Sequence, residues 1–355
     1  MTLQIDAHTH ILSMGTDAAF TKRYGREGSL TIYRAEGKLP SHRCAVDHEW
    51  EEIEAAEGKD GFGVVGPDET VAAHPGFDKI VALAVSPQYL EGRLMGTVDV
   101  FGVTDVEGDP HPERCNEYIA GCVRAQPEKI IGFASVNPAY RGPAAAVEEL
   151  GRAVAEGLSG VKLYPMYQHW SPADRDLAFP VLAAARDLGI PVMIHQAGST
   201  RIDAKLEFAR PALLDDIGRN FRDLKVIIAH CGTPWVEEAM FMLTKHPNFY
   251  AEISYHMATV TRRDLFLYLH RAEPSFVPLE KIMFGTDFPG FLYDPIVLRE
   301  KLLTVNEEAA GLGLPPIAQA KLEGIMGGNF AAVLGIEEPD FAPTAAPDAR
   351  AGADS

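Results

Sequence analysis

Eight short runs of apolar, β-branched and aromatic residues punctuate the chain, each bounded by turn-forming residues. They are "LQIDAHTH" (3–10), "KIVALAV" (79–85), "KIIGFASV" (129–136), "GVKLYP" (160–165), "PVMIHQ" (191–196), "KVIIAHC" (225–231), "FYAEIS" (249–254) and "KIMFGTDF" (281–288). Between the later runs the pattern changes to helical spacing, as in "GPAAAVEELGRAVAEG" and "DLAFPVLAAARDLG", the second closing at Gly189. From Gly160 onward a strand and a helix recur roughly every 24 to 34 residues, the size of one βα unit. Eight such strands predict an α/β fold, a (β/α)8 TIM barrel, over residues 1–336.

Two stretches break this rhythm. Residues 11–78 are far too long for an ordinary loop and rich in Gly, charge and isolated aromatics, so they read as a large insertion after the first strand, a cap over the barrel mouth. A second long connection, 86–110, is expected beside it. From Glu337 onward, "EEPDFAPTAAPDARAGADS" has little to bury and predicts a mobile C-terminal tail, 337–355. Beyond the βα rhythm there is no internal repeat.

Composition narrows the partners. Of 355 residues 46% are hydrophobic and 23% charged, which is ordinary globular usage. Fifty acidic against 32 basic residues leave a net charge of −18, which disfavours nucleic acid and anionic membrane surfaces. The four cysteines, Cys44, Cys115, Cys122 and Cys231, form no CxxC pair and suggest neither a zinc knuckle nor a disulfide framework. "MTLQIDAHTH" lacks the basic-then-apolar pattern of a secretory leader, and no apolar run is long enough to span a bilayer. A cytoplasmic enzyme with a small-molecule substrate is expected, with no nucleic-acid or membrane partner and with a homodimer left open.

In a barrel, chemistry collects where the strands end. Polar residues recur there: His8 and His10 end the first run, Lys162 lies in the fourth, His195 ends the fifth, His230 the sixth and Asp287 the eighth. His8 and His10 alternate to one face, as a chelate needs, and strict alternation places Asp6 on that face too, where its carboxylate would accept the spare N–H of a ligating imidazole. A lone strand-terminal histidine is usually an ordinary polar residue, but packing does not require three strands and an aspartate to converge. Imidazoles with a carboxylate suit Zn2+ first, with Mn2+, Fe2+ or Co2+ also compatible. Lys162, in an apolar strand, must pair with a carboxylate, reach solvent or lose its proton. The alternatives are an unmodified amine, slightly favoured, and a carbamate bridging two ions.

Weaker candidates follow. Cys231 points away from His230 and reads as a core thiol. His169 and His256, in loops after the fourth and seventh strands, are placed to touch substrate, though loop histidines are more often solvated. Tyr164, Trp170, Tyr255 and Phe291 are candidate pocket walls. His42, His48, His74, His111, His246 and His270 have no supporting pattern.

Taken in order, "DAHTH", "VKLYP", "VMIHQ", "IIAHC" and "FGTDFP" resemble the amidohydrolase superfamily. Within it the chain is most similar to the amidohydrolase-2 family, the metal-dependent TIM-barrel hydrolases grouped with aminocarboxymuconate semialdehyde decarboxylase. The resemblance runs from about residue 3 to "GGNFAAVLGI" near 336, and omits the details of 11–78. It implies His8, His10, His195 and Asp287 as metal ligands and His230 as a hydrogen-bonding or proton-transferring residue. In binuclear relatives such as dihydroorotase, the corresponding positions imply Lys162 as the carbamate and His230 as a ligand of the second ion; one ion is expected here rather than two.

The decarboxylase branch does not usually carry a lysine at the fourth strand, so "GVKLYP" favours hydrolysis of an amide, ester or lactone by activated water. His230 and Asp287 would be the catalytic pair. The alternative is non-oxidative decarboxylation of an unsaturated or aromatic carboxylic acid, with Arg23, Arg26, Arg34, Arg43 or Arg201 holding the carboxylate. A metal-dependent deoxyribonuclease is disfavoured by the charge and by the missing fourth-strand glutamate, and a non-catalytic metal- or ligand-binding barrel by the intact ligand set.

Overall fold

A computed structural model describes residues 3–11, 66–86, 88–90, 93–95, 114–199, 204–275, 277–288 and 294–336. All eight expected strands form: β1 (Ile5–Thr9), β2 (Lys79–Leu83), β3 (Ile130–Ser135), β4 (Gly160–Leu163), β5 (Val192–Ile194), β6 (Val226–Ile228), β7 (Phe249–Glu252) and β8 (Ile282–Met283). They pair in parallel and in sequence order. The seam between β8 and β1 is closed by backbone bonds from Ala7 N to Phe284 O (3.1 Å), Asp287 N to His8 O (2.7 Å) and His10 N to Phe288 O (2.6 Å). The fold is the predicted TIM barrel.

Between and after the strands run helices α1 (Gly66–Ala72), α2 (Arg114–Ala125), α3 (Pro143–Ala155), α4 (Ala178–Asp187), α5 (Val236–Lys245), α6 (Arg262–Ser275), α7 (Pro295–Leu303) and α8 (Asn329–Leu334). The second expected helix ends where its sequence says, with Gly189 in the left-handed region at φ 71°. Among the described residues no helix is long and apolar enough to cross a membrane.

β1 and β2 are neighbours, so the long stretch between them is an insertion between adjacent strands. Its last part, 66–78, is α1 and a turn running into β2, tied to the flank by Gln126 Nε2 donating to Asp68 Oδ1 (2.6 Å). The cap expected over 11–78 therefore has a barrel-side end; its course from 12 to 65 lies outside the described residues. Of the connection 86–110, Ser86 and a hairpin of 88–90 with 93–95 are described. The tail 337–355 and the arginines proposed as carboxylate anchors, Arg23, Arg26, Arg34, Arg43 and Arg201, also lie outside, as do Phe291, His42, His48, His111 and Cys44.

Alternation divides the core into two layers. Ile80 and Ala82 of β2 join an outer cluster with the helices, whereas Val81 and Leu83 join an inner one with Ile5, Ala7, Phe133, Met193, Ile227 and Met283. Leu3 and three residues of α8, Phe330, Ala331 and Val333, join the inner cluster and plug the barrel floor. Gly327 lets this plug approach, since a Cβ there would lie 2.3 Å from Leu3 O.

Candidate metal centre

β1 departs from plain alternation. Asp6 pairs with Ile80 and Thr9 with Ala82, four residues on β1 against three on β2, which is a β-bulge. Asp6 and Thr9 thus share the outer side with Ile80 and Ala82, while His8 and His10 face inward. This corrects the sequence reading of Asp6, which does not support a ligand ring. Its carboxylate instead accepts the backbone N–H of His8 (3.0 Å) and of Thr286 (3.0 Å).

The partner expected of Asp6 is Glu252, at the end of β7. Its Oε1 accepts His8 Nδ1–H at 2.8 Å and the His230 amide at 2.6 Å, and its Oε2 accepts the Ser254 amide at 2.8 Å. Burial alone would raise its pKa, but His8 and the other cations outweigh burial and hold it far below the usual carboxylate range. Glu252 was missed although "FYAEIS" carries the same signal that marked Lys162: one charge in an otherwise apolar strand.

His8, His10 and Asp287 converge within metal-binding reach, His230 stands beside His8, and His195 joins them through His230. His8 Nε2 lies 3.2 Å and His10 Nε2 3.3 Å from Asp287 Oδ1. His10 Nδ1 donates to Leu83 O (3.3 Å), and His195 Nδ1 meets His230 Nε2 at 3.1 Å. His8 and His10 therefore have Nδ1 occupied by a protein partner and Nε2 turned to Asp287, as imidazole ligands of one ion require. His195 Nε2 is buried and has no hydrogen-bond partner among the described residues. A donor set of three nitrogens and one carboxylate fits a divalent cation.

Backbone conformation aims two of these side chains. Asp287 has φ 63°, and His230 and Cys231 have φ 58° and 52°, all in the left-handed region that few non-glycine residues adopt. Burial tends to raise the Asp287 pKa, but the His8 charge and bonds from both rings keep it well below the carboxylate range. His195 is pushed well below the ordinary imidazole value by burial first and then by His230. Burial, with His8 next in importance, brings His230 down to about 3, so its ring is neutral.

Lys162 faces inward, in one layer with Ser135, Met193, Ile227 and Tyr250, just below the ligands. It is fully buried, and its Nζ has no hydrogen-bond partner among the described residues, standing 5.3 Å from the Tyr164 ring centroid. It neither pairs nor reaches solvent, and burial lowers its pKa to about 8, despite Glu252 and Asp287, so the amine gives up its proton more readily than an ordinary lysine but still carries it at neutral pH.

The weaker candidates sort by contact. The rings of Tyr164 and Tyr167 stand 6.2 and 5.0 Å from His195, and Tyr255 stands 6.2 Å from His230. Tyr167 had not been singled out. Trp170 is buried and donates to Gln168 Oε1 (3.0 Å). His256 is neither solvated nor turned to the ligands; it meets Thr233 Oγ1 (3.1 Å) and the Tyr268 ring. His169 ends the short Pro165–Gln168 helix in a left-handed conformation. Cys231 is a buried thiol against Tyr268 Oη (2.6 Å), the core thiol expected, but it is placed by the left-handed turn after β6 and not by strand alternation.

With this geometry established, comparison identifies the family. The family model described as "Amidohydrolase", that of amidohydrolase-2, matches residues 5–336. The chain belongs to the amidohydrolase-2 family. No protein of curated function matches it by sequence. Solved structures with this fold include an uncharacterised TIM-barrel protein of Bordetella bronchiseptica, 21% identical with TM-score 0.60, covering 94% of this chain and 98% of that one. The 5-carboxyvanillate decarboxylase of Novosphingobium aromaticivorans, determined with manganese and 3-methoxy-4-hydroxy-5-nitrobenzoic acid, is 13% identical with TM-score 0.62, covering 94% and 97%. A "probable 2-pyrone-4,6-dicarboxylic acid hydrolase" of Acinetobacter baumannii, with citric acid bound, is 14% identical with TM-score 0.54, covering 94% and 99%. This amidohydrolase-2 chain therefore shares its fold with proteins named for different reactions.

Proposed function

We propose that this amidohydrolase-2 protein is a metal-dependent hydrolase of a small organic amide, ester or lactone. The observation that carries the reading is the convergence of His8 and His10 Nε2 on Asp287 Oδ1, at 3.2 and 3.3 Å, with His195 Nε2 buried and without a hydrogen-bond partner among the described residues. His8, His10, His195 and Asp287 would hold one divalent ion, Zn2+ first and Mn2+, Fe2+ or Co2+ as alternatives. When bound, such an ion supplies Lewis acidity and makes water more acidic.

The chain's own groups supply the rest. Asp287, ionised at neutral pH, accepts the proton of the attacking water and returns it to the leaving group. His230, as a neutral ring, orients the water or polarises the scissile carbonyl, exchanging its His195 contact for one to substrate. Glu252 holds the His8 ring and the His230 backbone in register with this work.

A single ion suits these residues better than two. The group His8, His230 and Glu252 also lies within metal-binding reach. The Glu252 carboxylate, however, already accepts three N–H groups. A carbamate on Lys162 would add a further anion facing Glu252 and Asp287, and would need a second cation to offset it.

The second reading, non-oxidative decarboxylation of an aromatic or unsaturated acid, is favoured by the likeness to the 5-carboxyvanillate decarboxylase. Metal analysis of wild type and His195→Ala tests the centre. One equivalent per chain in the wild type, lost with activity in the variant, is expected; an active metal-free variant would sink the reading. Incubation with candidate lactones, amides and aromatic acids, monitored for CO2, separates the two reactions.

A further inference from the structure

His74, a histidine without any sequence pattern, sits where the first and last ligand-bearing strands meet. Its Nδ1 lies 2.7 Å from Thr70 O and its Nε2 3.2 Å from Asp6 Oδ2. Both partners are acceptors, so an N–H of the ring can donate to either of them. Asp6 is in turn bonded to both strands: its Oδ1 accepts the amides of His8 and Thr286, and its Oδ2 accepts Thr286 Oγ1–H at 2.5 Å. The His74 ring also meets the Phe288 ring edge-on, with centroids 5.1 Å apart. All four side chains are buried.

These contacts fall on both sides of one residue. Thr286 is held through Asp6, and Phe288 is held by the His74 ring and by its own amide donating to Thr286 Oγ1 (3.1 Å). Between them stands Asp287, with φ 63°. A non-glycine residue in that region costs roughly 1 to 3 kcal/mol and persists only where its surroundings over-determine it. The Asp6, Thr286 and Phe288 contacts are such surroundings.

We propose that His74 is a positioning residue of the metal centre: through Asp6 and Phe288 it clamps the Thr286–Phe288 turn and so fixes the Asp287 carboxylate opposite His8 and His10. The role rests on the metal-centre reading above and extends it to the long connection between β1 and β2, whose last turn carries His74. The described end of that connection thereby reaches the candidate ligands through the His74 ring.

The test uses the full chain and three variants. His74→Phe keeps a ring against Phe288 but offers Asp6 no donor; His74→Gln keeps a donor near the Nε2 position; His74→Asn is too short to reach. Three quantities are measured: apparent affinity for Mn2+ and Zn2+ by chelator competition, the unfolding midpoint of metal-free protein, and amide hydrogen exchange across 284–288 without metal. His74→Phe is expected to weaken metal binding roughly tenfold or more and to speed exchange, with His74→Gln restoring most of both. Wild-type affinity in His74→Phe, with only a lowered midpoint, would show a packing residue and overturn the proposal. If His74→Phe does not fold, equal metal affinity in the Gln and Asn variants overturns it. A wild type that binds no metal would defeat the metal-centre reading instead; the exchange data then decide the clamp, which fails if protection of 284–288 is unchanged.

Discussion

Glu252 at the end of β7 accepts a hydrogen bond from His8 Nδ1 at 2.8 Å, joining two strands that are not neighbours in the barrel. The same carboxylate holds the His230 backbone, so one buried anion fixes a ligand ring from β1 and the turn after β6. Glu252→Gln keeps the shape but turns an amide N–H toward donors that need an acceptor. Metal affinity is expected to fall roughly 10- to 100-fold, read by chelator competition. An unchanged affinity would mean that packing alone orients His8.

Lys162 gives a pH signature. Its pKa is about 8 in the folded chain against 10.5 ordinarily, with burial as the cause. Between those values the unfolded chain binds the extra proton, so wild-type stability rises with pH across that window and is reduced below it. In metal-free protein, Lys162→Met should be more stable at pH 7 by up to about 3 kcal/mol, at roughly 1.4 kcal/mol per unit of pKa. The gap should close from about pH 8 to about 10.5, as followed by urea unfolding. A destabilised variant would instead make Lys162 a needed counter-charge. With metal present, one equivalent should remain in the variant; loss of one of two would establish the carbamate-bridged pair.

Gly285 is the tight spot behind the pair. A Cβ there would lie 2.7 Å from Glu252 Oε2 and 3.0 Å from His8 Cβ. Gly285→Ala should therefore displace both, at about 1 to 3 kcal/mol of stability, and lower metal affinity as well. Thermal unfolding with and without metal checks this, and a variant matching wild type in both would show that the strand end yields freely.

Asp287→Asn separates conformation from charge. Asn tolerates the left-handed region about as well as Asp, so the unfolding midpoint of metal-free protein should move little. Turnover should drop by about a hundredfold or more, because the proton acceptor and the anionic ligand are both gone. Turnover within a few fold of wild type, measured at saturating metal, would remove Asp287 from proton transfer.

The barrel itself was legible in the chain. Parallel strands buried on both faces read as short apolar runs, and each ends at its own turn, so eight strands and their polar tips can be counted without coordinates. His8, His10, His195, His230 and Asp287 stood out because polar residues at strand ends have no packing reason to recur. What alternation could not supply was register. It placed Asp6 beside the His8 ring, whereas one extra residue in β1 against β2 turns Asp6 outward, to Thr286 and His74.

Neither the bulge nor its consequences appear in any single stretch, because a bulge is a mismatch between two strands' residue counts. The partners of Glu252 and His74 were hidden for a related reason, although the lone charge in "FYAEIS" marked Glu252 itself: each is paired with a residue far away in sequence, His8 for the one and Asp6 for the other. The sequence by itself determined the periodicities, hence the closed barrel and the candidate ligands at its mouth. Tertiary structure alone decided which buried carboxylate orients a ligand and which one ties the seam, since hydrogen bonds between distant strands are set by register and burial, not by local pattern.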